Sequence, residues 1–70
     1  MVQVESEAIA EIAYDAERST MFVRFVDGGW YSYFAVPRKV YEEFIAASSH
    51  GRFFHERIRD VYPFRPGRSA

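Results

Sequence analysis

The chain reads as an α+β domain: a three-stranded antiparallel meander followed by two short helices packed on one face. Three observations predict it. β-branched and aromatic residues crowd the first half, an Asp27-Gly28-Gly29 turn splits the richest stretch, and helical spacing sets in only after Pro37.

The elements follow in order. Residues 1–7 are expected to form a flexible N-terminus. Ala8-Ile-Ala-Glu-Ile-Ala-Tyr-Asp15 suits a strand through its isoleucines and Tyr14, although its alanines dilute the signal. Ala16 to Ser19 connects it to Thr20-Met-Phe-Val-Arg-Phe-Val26, the strongest strand in the sequence. Glycine accepts the positive φ that a tight hairpin requires, so Asp27-Gly28-Gly29 turns the chain into Trp30-Tyr-Ser-Tyr-Phe34.

Pro37 has a φ suited to a helix start and lacks the N–H that a first turn does not need. Val40, Tyr41, Phe44, Ile45 and Ala47 then fall at helical spacing, with Glu42 and Glu43 on the opposite side. Ser48-Ser49-His50-Gly51 ends this helix, and a serine there can cap the next, Arg52–Arg59. Tyr62-Pro63-Phe64-Arg65-Pro66-Gly67 cannot continue a helix and should run extended, with rings that can fold back. The single domain is therefore set at residues 8–64, and residues 65–70 are expected to be a flexible tail.

Composition bounds the function. The 70 residues are 49% hydrophobic and 19% aromatic, enough for one ring-rich core. Cysteine is absent, which removes disulfides and thiolate metal sites. No apolar run approaches membrane-spanning length, and the first residues lack a basic stretch before an apolar core. A cytoplasmic protein without membrane contact is expected. The net charge is −1, yet residues 1–35 hold two cations against six acids and residues 36–70 hold seven against four. Eight of the nine cations are arginine, whose planar fork binds phosphate and stacks on rings. Against a nucleic-acid role stands the near-neutral balance, since basic helical residues also serve as ordinary ion-paired surface.

One ordered set of residues resembles a known family. Tyr31-Ser-Tyr33, Val36-Pro37, Tyr41, Ala47-x-Ser49-x-Gly51-x-Phe53-Phe54, Ile58-Arg59 and Tyr62 resemble the KTSC domain. That family is named for the C-terminal region of some lysyl-tRNA synthetases and also occurs as free-standing bacterial proteins of about this length. Its hallmark is Tyr-x-Tyr followed by Val-Pro, and the resemblance covers residues 6 to 64. It implies an RNA-binding role, through association with a tRNA enzyme. Within the motif, Tyr31, Tyr33, Val36, Pro37, Ser49, Gly51 and Tyr62 are expected to be structural.

Strand alternation then locates a surface. One side of the second strand carries Met21, Val23 and Phe25, and the other carries Phe22, Arg24 and Val26. Tyr31 and Tyr33 oppose Trp30, Ser32 and Phe34 in the same way. A two-residue turn would put Phe25 on the side of Trp30, whereas a three-residue turn with a glycine bulge puts it beside Tyr31 and Tyr33. The second is favoured, because it places Ser32 toward water with Arg24. Two short helices cover one face only, so Phe22, Trp30 and Phe34 are left for the other. Those rings can be wrapped into the core, can meet a protein partner or a second copy, or can stack on single-stranded or tRNA-like RNA. For RNA, the expected contacts are Arg24, Trp30 and Phe34 on the sheet, with Arg38, Lys39, Arg52, Arg57 and Arg59 on phosphates.

Catalytic patterns are not in view. His50 and His55 lie about 140° apart on a helix, unlike a metal-binding pair, and His50 is expected outside the helix. Ser48 and Ser49 lack a nucleophile elbow, and the adjacent Glu42 and Glu43 diverge. A domain this small is not expected to offer a ligand pocket above about 300 Å³. The reading is a non-enzyme with no cofactor, no metal and no small-molecule substrate.

Overall fold

The computed structural model describes residues 2–3 and 8–68. Five strands, β1 (Val2–Gln3), β2 (Ile9–Asp15), β3 (Thr20–Phe25), β4 (Gly29–Tyr33) and β5 (Phe64–Pro66), form one antiparallel sheet in that spatial order. Between β4 and β5 run two helices, α1 (Arg38–Ala46) and α2 (His50–Phe53). The expected α+β meander with two helices on one face is present, widened by a short strand at each edge. β1 pairs with Ile12 and Glu11, and the rest of the expected flexible N-terminus (Met1 and residues 4–7) lies outside the described residues.

Each hairpin has a local cause. Asp15 Oδ1 accepts the Glu17 amide at 3.1 Å and the Arg18 amide at 3.4 Å, closing the β2–β3 connection. In the next hairpin Phe25 pairs with Gly29, leaving three residues between them, and Gly29 sits at φ 74°. This is the glycine-bulge geometry expected, and it puts Phe25, Val23 and Met21 on the side of Tyr31 and Tyr33.

The register of β2 contains an unexpected feature. Ile9 and Ile12 are both fully buried, which strict alternation forbids at a spacing of three. A register shift between Ile9 and Glu11 inserts one extra residue and returns Ile9 to the core side.

The core is one layer between sheet and helices. Ile9, Ile12, Met21, Val23 and Tyr33 meet Phe44 and Ile58, and Val36 joins them. α1 is anchored by Phe44, and by Tyr41 stacked on Tyr14 with centroids 4.9 Å apart. Ser49 caps α2 by accepting the Arg52 amide. His50 is the first residue of α2 and not outside it, because Ser49 takes the cap position and its carbonyl accepts the Phe53 amide at 3.0 Å; the His50 ring lies 3.3 Å from the Ile45 carbonyl.

α2 continues into a π-helical turn, Phe54–Ile58, closed by the Arg59 amide on the Phe54 carbonyl at 2.8 Å. Phe54 and Ile58, four residues apart on this turn, both pack into the core. Asp60 follows at φ 62°, an uncommon conformation for a side chain other than glycine. The chain then returns through Tyr62 and Pro63 to lay β5 against β4, so the tail expected from residue 65 begins inside a strand.

Candidate functional site

The sheet has an outer face that no helix covers. Strand register places Glu11, Ala13 and Asp15 of β2 there, with Thr20, Phe22 and Arg24 of β3. Trp30 and Ser32 of β4 share it, and Arg65 of β5 stands opposite Ser32. Phe34 and Arg18 complete it, lining one shallow hollow with Thr20, Phe22 and Ser32.

The C-terminal segment lies over this face. The Gly67 amide donates to the Trp30 carbonyl at 2.7 Å, and Ser32 Oγ donates to the Gly67 carbonyl at 2.7 Å. These bonds carry the Arg68 guanidinium onto two rings, 4.8 Å from the centroid of Phe22 and 4.6 Å from that of Trp30. Two expectations are corrected here. Ser32 does not face water, being 2% exposed, because Gly67 closes over it. Phe22 is 7% exposed, shut in by Ala13 and Arg68, while Trp30 and Phe34 remain half-buried.

Four arginines and two acids share the outer face. Arg24 Nε donates to Glu11, and Arg18 lies 4.0 Å from Asp15. Arg65 and Arg68 have no carboxylate partner among the described residues. Of the residues expected to contact RNA, Arg24, Trp30 and Phe34 are therefore brought together. Arg38, Lys39, Arg52, Arg57 and Arg59 belong to the helical layer on the other side of the sheet, so they do not extend the same surface. Three of them are engaged by acids: Arg38 with Glu42, Arg52 with Glu56, and Arg57 with Glu43. Arg65 and Arg68 stand on this face although neither was expected there, and Arg65-Pro-Gly-Arg68 is a basic stretch without an acid.

A second concave region lies on the helical side. Phe25, Tyr31 and Tyr33 of the sheet, Phe54 of the π turn and Phe64 of β5 wall a cleft of about 440 Å³, with Arg59 and Asp60 at its rim. A pocket of this size was not expected. It arises because its walls come from two stretches distant in sequence, residues 25–33 and 54–64, neither of which announces a cavity by itself. Tyr33 is 4% exposed, yet among the described residues its hydroxyl has no partner and is not fully shut away, so the oxygen reaches the cleft. Burial and the neighbouring Tyr31 push its phenol up to about 12, opposed by the Arg59 charge.

The other motif residues have structural positions. Val36 is fully buried, and its carbonyl accepts from the Tyr14 hydroxyl at 2.6 Å. The Pro37 carbonyl starts α1 by accepting the Val40 and Tyr41 amides. Gly51 lies in α2, and Tyr62 packs against the core. Among the described residues no cluster could hold a metal ion, and no helix is long and apolar enough to cross a membrane.

Comparison with known proteins agrees with this architecture. A crystal structure of a KTSC domain protein from Yersinia pestis superposes with a TM-score of 0.90 at 33% identity, covering 91% of this chain and 90% of that one. A protein of Tsukamurella paurometabola is 42% identical over 59 residues, spanning 84% of this chain and 88% of its own length. The lysine–tRNA ligase of Trichormus variabilis is 33% identical over 64 residues, which are 91% of this chain but only 11% of the ligase. The family model for the KTSC domain matches residues 5–62, and the chain belongs to the KTSC domain family.

Proposed function

We propose that the protein is a non-catalytic module that binds single-stranded or tRNA-like RNA on the outer face of its sheet. The observation that carries this reading is the Trp30–Phe34 ring surface, left without a helix and bordered by Arg18, Arg24, Arg65 and Arg68. Bases stack on aromatic or guanidinium planes at about 1–3 kcal/mol each, and arginine neutralises the backbone. Arg68 already holds a planar cation over Phe22 and Trp30, the position a base would take or stack upon. The presence of a similar segment in a lysine–tRNA ligase supports an RNA partner.

The same face could serve a second copy of the chain, as the sequence reading also allowed. RNA is favoured because Phe22 is closed off and the border is cationic, which leaves little apolar surface for a dimer.

Trp30 is the only tryptophan and reports directly. Its fluorescence should quench on adding RNA oligomers, with log affinity falling as log salt rises. Replacing Arg65 and Arg68 together by alanine should weaken binding and flatten the salt slope by about two charges. An unchanged Trp30 signal at low salt across varied oligomers overturns the proposal.

A further inference from the structure

The helical-side cleft has a composition unlike the outer face. Its volume of about 440 Å³ lies within the ~300–1,000 Å³ range of small-molecule sites. Its walls are rings set mostly edge to face: Phe25 on Tyr31 at 82°, Phe25 on Phe54 at 74°, Tyr33 on Phe54 at 79°. Phe64, which closes one side, is 55% exposed. Exposure of that ring at the mouth of a cleft leaves a face on which another flat ring can lie.

The polar groups narrow the choice. Arg59 forms no ion pair among the described residues, its guanidinium meeting only His55 Nδ1 at 3.3 Å. Asp60 also lacks an ion-pair partner there. The backbone is held at φ 62° where Asp60 meets the cleft, directly after the π turn, and both kinds of irregularity concentrate at functional positions. The Tyr33 hydroxyl reaches the same space without a partner among the described residues.

A guanidinium and a carboxylate lining the same cleft disfavour ligands of one charge. A phosphate would meet Asp60, and a simple cation seeking the rings would meet Arg59. The match is a molecule that carries both charges on one small group next to an apolar ring. We propose that the cleft between β4, β5 and the π turn binds a free aromatic amino acid, with its carboxylate on Arg59, its ammonium on Asp60 and its ring on Phe64 and Tyr31. The Tyr33 hydroxyl then completes the polar end, and bidentate Arg59 geometry fixes the carboxylate.

The test is an NMR titration of the whole chain, following the ring resonances of Tyr33, Phe54 and Phe64. L-Phenylalanine should shift them saturably, with half-saturation at or below ~1 mM, and leave Trp30 unmoved. N-acetyl-L-phenylalanine, which lacks the ammonium, and L-phenylalaninamide, which lacks the carboxylate, should each bind about tenfold more weakly. Arg59→Gln should abolish the preference for the acid over the amide. Asp60→Asn, which tolerates the same φ, should abolish the preference over the acetylated form. The spectra of the two variants show directly that they fold. No saturable shift at ~10 mM overturns the proposal, as does equal binding of all three compounds or tighter binding of adenosine monophosphate at the same rings. Because Trp30 lies on the opposite face, failure here is separable from failure of RNA binding.

Discussion

The two faces of the sheet hold similar side chains under different covers. On the helical side, Met21, Val23 and Tyr33 are closed by Phe44 and Ile58, hydrocarbon on hydrocarbon. On the outer side, Phe22 and the half-buried Trp30 share one guanidinium as their cover, carried on a short terminal segment. A dense apolar layer is rigid and costly to open. A guanidinium over rings contributes about 0.5–2 kcal/mol, and water can replace it. The comparison separates a surface built for stability from one whose cover can be exchanged.

The largest expected effect tests the sealed face. Phe44→Ala should cost about 3–5 kcal/mol in urea unfolding, through the lost ring and the cavity left behind. If its cost fell to that of removing Arg68, the contrast between the faces would collapse.

Alkaline titration comes next. Tyr33 has its phenol raised from 10 to about 12 in the folded protein, so the unfolded chain releases that proton first. The folded state keeps this contribution in full below pH 10 and loses it as pH rises through 10 to 12, by at most about 2–3 kcal/mol. Tyr33→Phe should remove that part of the decline in chemical unfolding against pH. An unchanged profile would show that the hydroxyl is better solvated than its burial indicates.

Arg68→Ala should cost only about 1 kcal/mol, while Trp30 emission moves to the red as its ring gains water. A blue shift would mean that the rings close on one another instead. The smallest effect sharpens the helical side. Ser49→Ala removes a cap made at 3.3 Å and should cost about 0.5 kcal/mol, read from the urea midpoint.

Much of the scaffold is legible in the sequence because its signals are local. Asp27-Gly28-Gly29 carries its own turn geometry, alternation assigns Val23 and Arg24 to opposite faces, and Ser49 announces a cap. Features set by distant residues are not legible. Ser32 is buried by Gly67, 35 positions away, so alternation alone sends it toward water. β5 is three residues long and contains proline, too little for a strand signal, and only the open edge of β4 gives it a place. The shift in β2 and the π turn are one-residue departures from regular spacing that no periodicity anticipates. The site divides likewise. Arg24, Trp30 and Phe34 share a face by alternation, whereas a count of charges adds the helical arginines to them, because it ignores which side of a sheet a helix occupies. The cleft draws on Phe25, Tyr31, Phe54 and Phe64, and only the folded chain assembles them.

The strand order has a kinetic consequence. Neighbours in the sheet from β2 through β4 are neighbours in the chain, so each joins by a short hairpin closure. β5 must instead wait for a loop of some thirty residues, containing both helices, to close. The last strand to arrive, held at a rim by few bonds, is the natural first to leave. The Gly67 amide should therefore exchange its hydrogen for deuterium well before that of Val23. In those brief departures the tryptophan side of the sheet stands bare while the interior beneath stays intact, so a visitor can enter without the molecule coming apart.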